Sequence, residues 1–142
     1  MPQRRRERGL HAGLYLPDVL TSVGGVSVTS GAGTVSSGAI GPNPNQYMVN
    51  LTGVTNAQYI TVTLSNVRDA ASHVGDVSAS MGVLIGDADA SGCTDSGDVT
   101  LARQKTVGRP DASTFRNDVN TSGRIDSGDV TVTRNASVSV LP

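Results

Sequence analysis

Apolar and polar residues alternate with a period of two over much of the chain between positions 23 and 85. Segments 47–52 and 59–65 show the pattern most clearly, and shorter alternations occur at 26–28 and 77–85. Such alternation is typical of strands that bury one face. Clusters of glycine, proline and asparagine separate the segments and indicate turns. The pattern therefore predicts a mixed fold whose first part, residues 22–84, is a partial antiparallel β-sandwich.

Residues 1–21 differ in composition from the rest of the chain, because four of the eleven basic residues stand at positions 4, 5, 6 and 8. We expect a disordered or atypical leader here. The apolar residues that follow are interrupted by His11 and two glycines, so no signal peptide is evident. The roughly five predicted strands leave a sandwich with long unpaired edges. We therefore expect that an upstream strand is missing and that the chain is the C-terminal part of a longer protein.

The remainder of the chain repeats itself at an offset of 31 residues. Residues 86–108 align with 117–139, and 11 of these 23 positions are identical. The block Asp-Ser-Gly-Asp-Val-Thr occurs unchanged in both copies. A repeat of this kind indicates one supersecondary unit that is used twice. Residues 85–142 are therefore predicted to form a second domain.

Within each copy, oxygen-bearing side chains stand at positions 1, 3, 5, 9 and 12 of a 12-residue loop, with glycine at position 6. This is the spacing by which an EF-hand-like loop surrounds Ca²⁺, with the carbonyl of position 7 as a further ligand. The predicted ligands of the first loop are Asp87, Asp89, Ser91, the backbone carbonyl of Cys93, Asp95 and Asp98, and its glycine is Gly92. Those of the second loop are Asp118, Asn120, Ser122, the backbone carbonyl of Arg124, Asp126 and Asp129, and its glycine is Gly123.

The residue types suit calcium, because short Asp, Asn and Ser side chains reach a hard cation from a tightly curled backbone. Mg²⁺ suits this flexible oxygen shell less well. We expect two calcium sites, and tighter binding at the first, because the second has one carboxylate fewer. The alternative is a pair of Asp-, Gly- and Ser-rich surface turns without metal. Two copies in register favour the metal.

The paired loops resemble the type I dockerin module, in which two such calcium loops each lead into a helix. The resemblance covers residues 85–142 and implies a small α-helical pair of calcium loop-helix motifs. It also implies a non-catalytic module that docks onto a cohesin partner outside the cell or at its surface, in bacterial polysaccharide degradation. The strands before it are similar to the β-domain that often precedes a dockerin-like terminus in large secreted bacterial proteins.

The resemblance also implies which residues contact a partner. These are Ser96, Gly97 and Arg103 in the first motif and Ser127, Gly128 and Arg134 in the second. The chain departs from the family pattern at loop position 11, where glycine stands in place of a hydroxyl residue, so half of that recognition pair lacks a side chain. Residues 85–142 could instead stiffen the terminus and pack on the chain's own β-domain.

Several features inside the second domain can be predicted from residue type. The first helix is expected over 98–106, whereas the second, over 129–136, is rich in β-branched residues and is expected to be short or frayed. Thr94 and Ile125 at loop position 8 are expected to bridge the two loops. Phe115, the single phenylalanine, is expected to pack between the motifs.

Other functions are disfavoured by the sequence. We predict no catalytic residues and no enzyme activity; the tail of a glycoside hydrolase is the remaining enzyme alternative, but the carboxylates it would need are already assigned to metal. Beyond position 8 there are 7 basic and 11 acidic residues, which disfavours nucleic-acid binding. No apolar run approaches the roughly 20 residues of a membrane span.

Overall fold

The computed structural model describes residues 9–142, which fall into two compact units. The first unit contains the described residues up to Thr55 together with Tyr59–Met81, and the second contains Asn56–Gln58 and Gly82–Pro142. The second unit thus begins at Gly82 rather than at residue 85, and it includes a loop segment from between two strands. The fold is mixed, mostly antiparallel β-sheet with two helices.

Two antiparallel sheets build the first unit. The strands are β1 Leu10–Tyr15, β2 Leu20–Ser22, β3 Gly25–Ser30, β4 Thr34–Ile40, β5 Gln46–Thr52, β6 Gln58–Asp69 and β7 Val74–Val83. One sheet has the order β1-β5-β4, and in the other β6 pairs with β2, β3 and β7. The buried apolar residues lie on alternate positions of the strands, as in a partial sandwich: Ala12, Leu14, Leu20, Tyr47, Val49, Leu51, Ile60, Val62, Leu64 and Val67.

The expectation of a disordered or atypical leader over residues 1–21 is wrong for positions 10–15 and 20–21. Residues 10–15 form β1, which pairs with β5 in an unbroken register from Leu10↔Leu51 to Tyr15↔Gln46. Ala12 and Leu14 are buried by this pairing. The leader prediction for residues 1–8 lies outside the described residues. One strand of the sandwich, β1, thus lies within residues 1–21, the segment whose composition differs from the rest of the chain.

Strands β5, β6, β7 and β3 occur where the alternation predicts them, but β4 was not predicted. Its burial pattern explains why, because six of its seven residues are exposed and only Val35 is half-buried. An exposed strand carries no alternation of apolar residues. The backbone of β4 also lies close to β5, since a Cβ at Gly38 would be 2.9 Å from the Tyr47 ring.

The second unit contains the two helices, α1 Ser96–Gln104 and α2 Ser127–Ala136, with a 3-10 turn at Phe115–Asn117 between them. The expectation of a short or frayed second helix is wrong, because α2 has 10 residues and α1 has 9. The cause is tertiary support, since Thr133 on α2 is fully buried and the helix start is capped. Neither helix combines the length and apolarity that crossing a membrane would require.

The expected bridge between Thr94 and Ile125 is also wrong. Two short strands, β8 Cys93–Thr94 and β9 Ser139–Val140, pair with each other, so the first loop joins the segment after α2. The second loop joins the segment after α1, through the bridge Gly108↔Ile125. The amide of Val138 donates to the Thr94 carbonyl at 2.8 Å, and the amide of Val107 donates to the Ile125 carbonyl at 3.0 Å. Each loop is therefore tied to the end of the other motif's helix.

Phe115 does not pack between the motifs as expected. Its side chain is 58% exposed, and the Arg116 guanidinium lies 5.9 Å from the centre of its ring. The buried apolar positions of the second unit are occupied by Val99, Ala102 and Ile125. Val99 and Ala102 lie on α1, and Ile125 lies in the bridge to Gly108, whereas the 3-10 turn places Phe115 at the surface.

Candidate metal centres

Three carboxylates converge in the first loop. One oxygen atom from each of Asp87, Asp89 and Asp98 lies within 4.8 Å of the others. Asp98 is fully buried, Asp87 is half-buried and Asp89 is exposed. The cluster therefore has a closed inner end and an open outer end, and its three ligand atoms are close enough to share one cation.

The position of Asp98 follows from the start of α1. Asp95 caps the helix by accepting a hydrogen bond from the amide of Gly97, and Asp98, three residues on, accepts from the amide of Asp95 at 2.9 Å. This reciprocal arrangement is a capping box. The other carboxylate oxygen of Asp98 accepts from the amide of Ala88 at 2.8 Å. One side chain thus joins the start of the loop to the start of the helix.

The curl of the first loop places the remaining oxygens. Gly92 and Ala90 have positive φ angles of 84° and 62°, which turn the backbone around the Asp87 carboxylate. That carboxylate accepts hydrogen bonds from the amides of Ser91 and Gly92, both at 3.0 Å. The hydroxyl of Ser91 donates to the carbonyl of Cys93 at 3.1 Å, so the oxygens of positions 5 and 7 are adjacent.

Hydrogen bonding also affects the charge of the first loop. The side chain and then the amide of Ser91 lower the pKa of the Asp89 carboxyl, and the small desolvation of this exposed group opposes them. Asp89 is therefore ionised at neutral pH. The Cys93 thiol lies 3.4 Å from the Ser91 hydroxyl, so its sulfur lies beside the predicted ligand oxygen of loop position 5.

The second loop repeats these contacts. Asp118 accepts from the amides of Ser122 and Gly123, both at 2.9 Å, and the Ser122 hydroxyl donates to the Arg124 carbonyl at 3.0 Å. Asp129, also fully buried, accepts from the amides of Asn120 and Asp126 at 3.0 and 2.8 Å. Thr121 and Gly123, at loop positions 4 and 6, again have positive φ angles, of 53° and 81°. The two loops therefore share most of their hydrogen bonds. They differ in the amide that lies closest to the buried carboxylate, which is at position 2 in the first loop and at position 3 in the second.

The donor set fits a hard divalent cation. Every predicted ligand atom is an oxygen, and Ca²⁺ requires six to eight of them at about 2.3–2.6 Å. The residues that would hold an ion in the first loop are Asp87, Asp89, Ser91, Cys93 through its carbonyl, and Asp98. The matching set in the second loop is Asp118, Asn120, Ser122, Arg124 through its carbonyl, and Asp129. Asp95 and Asp126, the predicted ligands at position 9, each use one carboxylate oxygen to cap a helix, and this position often binds the ion through a water molecule.

The predicted partner-contacting residues lie at the helix starts and last turns. Ser96 and Ser127 are the first residues of α1 and α2 and are exposed. Gly97 and Gly128 follow them, and a Cβ at either would lie 2.9 Å from an oxygen of the capping carboxylate, which would have to shift. Arg103 and Arg134 line one groove of about 450 Å³.

Two features of this region were missed by sequence reasoning. The first is the capping role of Asp95 and Asp126, which the spacing Asp-x-x-Asp could have indicated. The second is the pair of repeated valines after the helices. Val107 and Val138 have positive φ angles of 80° and 71° and are almost completely exposed. Positive φ is unfavourable for a β-branched residue, and only the identity of the two positions in the repeat hinted at a special role.

Comparisons of the chain with protein-family models, with curated proteins and with solved structures gave no match. The geometry of the two loops and of the groove beside the helices is therefore the basis for any functional conclusion.

Proposed function

We propose that the second unit is a calcium-binding, dockerin-like docking module without catalytic activity. The observation that carries the proposal is the convergence of Asp87, Asp89 and Asp98 within 4.8 Å. Carboxylates at this separation repel each other, most strongly where one of them is buried. A bound divalent cation removes the repulsion and supplies the charge that compensates Asp98.

The second loop supports the same interpretation. Asp98 and Asp129 are both fully buried, and each accepts two amide hydrogen bonds at 2.8–3.0 Å beside the other predicted ligands of its loop. The equivalence of the two loops therefore favours two ion sites. The first is expected to bind more tightly, because Asp89 is replaced by the neutral Asn120 in the second.

Calcium titration tests the two sites. By isothermal titration calorimetry of the full chain, the wild type should bind two Ca²⁺ ions, and Asp87→Ala and Asp118→Ala should each lose one. Loss of the tighter event in Asp87→Ala and of the weaker one in Asp118→Ala is the expected result. Asp111→Ala is the matched control, because Asp111 lies between the two loops and accepts its hydrogen bonds from Ser113 and Thr114 instead. If the binding events lost in the two loop variants had equal affinity, the ranking would be contradicted. If calcium addition gave no binding heat, the sites themselves would be contradicted.

The docking surface is the groove beside the two helices. It is lined by Arg103 from α1, Arg134 from α2, Val99 and Val138, and also by Asp95, which caps α1. Within residues 9–142 neither arginine has an ion-pair partner. Two unpaired guanidinium groups around an apolar floor suit a protein surface with carboxylates beside an apolar side chain. A cohesin-like domain is the partner class that the resemblance implies, and with it a location outside the cell or at its surface.

Binding to a recombinant type I cohesin domain tests docking. In biolayer interferometry the immobilised full chain should bind the cohesin in calcium and lose binding in EGTA. Arg103→Glu together with Arg134→Glu should weaken binding by tenfold or more, which corresponds to about 1.4 kcal/mol. Arg68→Glu, on β6, is the matched charge control and should have no effect. Calcium binding without cohesin binding would reject this partner and leave the calcium loops as a stabilising device.

A further inference from the structure

The first unit has a sheet edge, on β1, without the irregularities that three other strand pairs contain. β1 ends the sheet β1-β5-β4, and its register with β5 is unbroken over six residue pairs. By contrast, the pairings of β4 with β5, β3 with β6 and β2 with β6 each contain an irregularity. Bulges are one of the devices that prevent an edge from accepting a further strand. The outer edge of β1 lacks this protection.

The opposing strand β7 is similarly unprotected. It pairs with β6 alone among the described strands. Neither β1 nor β7 contains lysine, arginine or proline, the residues that commonly block an edge, and Asp76 is the one charged residue in the two strands. Both edges are therefore open to hydrogen bonding, and both strands line one cleft.

A cleft of about 510 Å³ lies between β1 and β7. Its walls include Ala12 and Leu14 from β1 and Ala79 and Met81 from β7, and Val62 of β6 lies between them. The inward-facing residues of β7 are half-buried, whereas those of β6 are fully buried. The inner face of β7 is thus incompletely covered, and no Asp, Glu, Lys or Arg lines this cleft.

One end of the cleft is acidic. A neighbouring cavity of about 260 Å³ shares Leu16 and Val77 with it and is also lined by Asp18, Asp69 and His73. Asp69 is paired with His73 at 2.8 Å, while Asp18 has no ion-pair partner within the described part of the chain. Hydrogen bonding to Asp69 raises the pKa of His73, and the same contact lowers the pKa of Asp69. Asp69 is therefore ionised at neutral pH, and the nearby Asp18 carboxylate adds to the rise in the pKa of His73.

We propose that the cleft between β1 and β7 binds an extended, mostly apolar peptide strand of a partner protein, with a positive charge at the end that lies beside Asp18. The strand pairs with the outer edge of β1, and every second side chain enters the neutral cleft over β7. It runs antiparallel to β1, as β5 does on the other edge, because this direction places its N-terminal end at the Tyr15 end of β1. The acidic rim then meets the basic or α-amino end of the strand.

The probe is a synthetic peptide that copies residues 46–52, because this sequence already pairs antiparallel with β1 and alternates apolar and polar residues. It carries a fluorophore at its C-terminus and is used with a free or an acetylated N-terminus. By fluorescence anisotropy the full chain should bind the free-amine peptide about threefold more tightly, which is the range of an exposed charge pair. Asp18→Asn should abolish that preference.

Two further measurements locate the binding. Ala79→Lys should weaken binding by about tenfold or more, because it introduces a charge where an apolar side chain would enter. Ser27→Lys is the matched control, because Ser27 is exposed on β3 and does not line the cleft, and it should bind as the wild type. Hydrogen exchange of the wild-type complex should slow at residues 10–15 and not at residues 34–40, and this readout does not depend on any variant folding.

The proposal is overturned by any of three results. The first is absence of peptide binding, and the second is binding that protects β4 instead of β1. The third is a dimer of the chain alone that Ala79→Lys dissociates in analytical ultracentrifugation, because the occupant of the cleft would then be a second copy. None of these results depends on calcium or on the docking groove of the second unit.

Discussion

Replacing Asp98 by alanine should destabilise the second unit even in the absence of calcium. The side chain is fully buried and accepts hydrogen bonds from the amides of Ala88 and Asp95 at 2.8 and 2.9 Å. Truncation leaves both donors without their charged acceptor and removes half of the capping box. We expect the free energy of unfolding in EGTA to fall by about 2–4 kcal/mol, measured by urea denaturation with the helical circular dichroism signal.

Asp89→Ala is the matched control for this prediction. Asp89 belongs to the same cluster but is exposed, and its carboxylate accepts a hydrogen bond from Ser91 within the loop. In EGTA this variant should unfold close to the wild type, whereas in calcium both variants should lose most of the stabilisation that the ion gives. Such a result would separate the structural role of Asp98 from its role as a ligand. Equal destabilisation of the two variants in EGTA would contradict the assigned roles.

The two loops could be predicted because their pattern is local. Twelve consecutive residues determine which oxygens a curled backbone brings together, and the copy 31 positions later fixes the register. The capping box is equally local, since Asp95 and Asp98 lie three residues apart, but it was missed because both residues were assigned to the metal alone. Strands β5 and β6 were predicted for a related reason, because each buries alternate residues and so shows its period in the sequence.

The elements that sequence reasoning missed depend on distant partners. β1 contains His11 and Gly13, which interrupt its apolar pattern, and it becomes a strand through pairing with residues 46–51. Each calcium loop pairs with the segment that follows the helix of the other motif. This pairing is also non-local, because Thr94 pairs with Ser139 and Ile125 with Gly108. Residue type alone favoured Phe115 as a core residue, although the buried position belongs to Ile125. Hydrophobicity ranks candidates for the core, but the chain path decides between them.

Gly86 tests how closely the start of the first loop packs against α2. Gly86→Ala should lower the free energy of unfolding of the second unit by about 2–4 kcal/mol. Its φ is +87°, and an added Cβ would lie 3.1 Å from the Thr94 methyl and 3.2 Å from both Cα and Cγ2 of Thr133. The backbone atom cannot move aside without displacing α2. The repeat suggests a compensation, because the copy has Asn117 for Gly86 and the smaller Ala102 for Thr133.

Gly92→Ala separates the two causes of this loss. Gly92 has nearly the same φ, +84°, but a Cβ there would meet nothing within 4 Å. In EGTA it should therefore show the backbone cost alone, about 1–2 kcal/mol. Adding Thr133→Ala to Gly86→Ala should recover part of the remaining loss, and a double-mutant cycle in urea measures that coupling. Equal losses for Gly86→Ala and Gly92→Ala, with no coupling to Thr133, would show that α2 does not pack against Gly86 in solution.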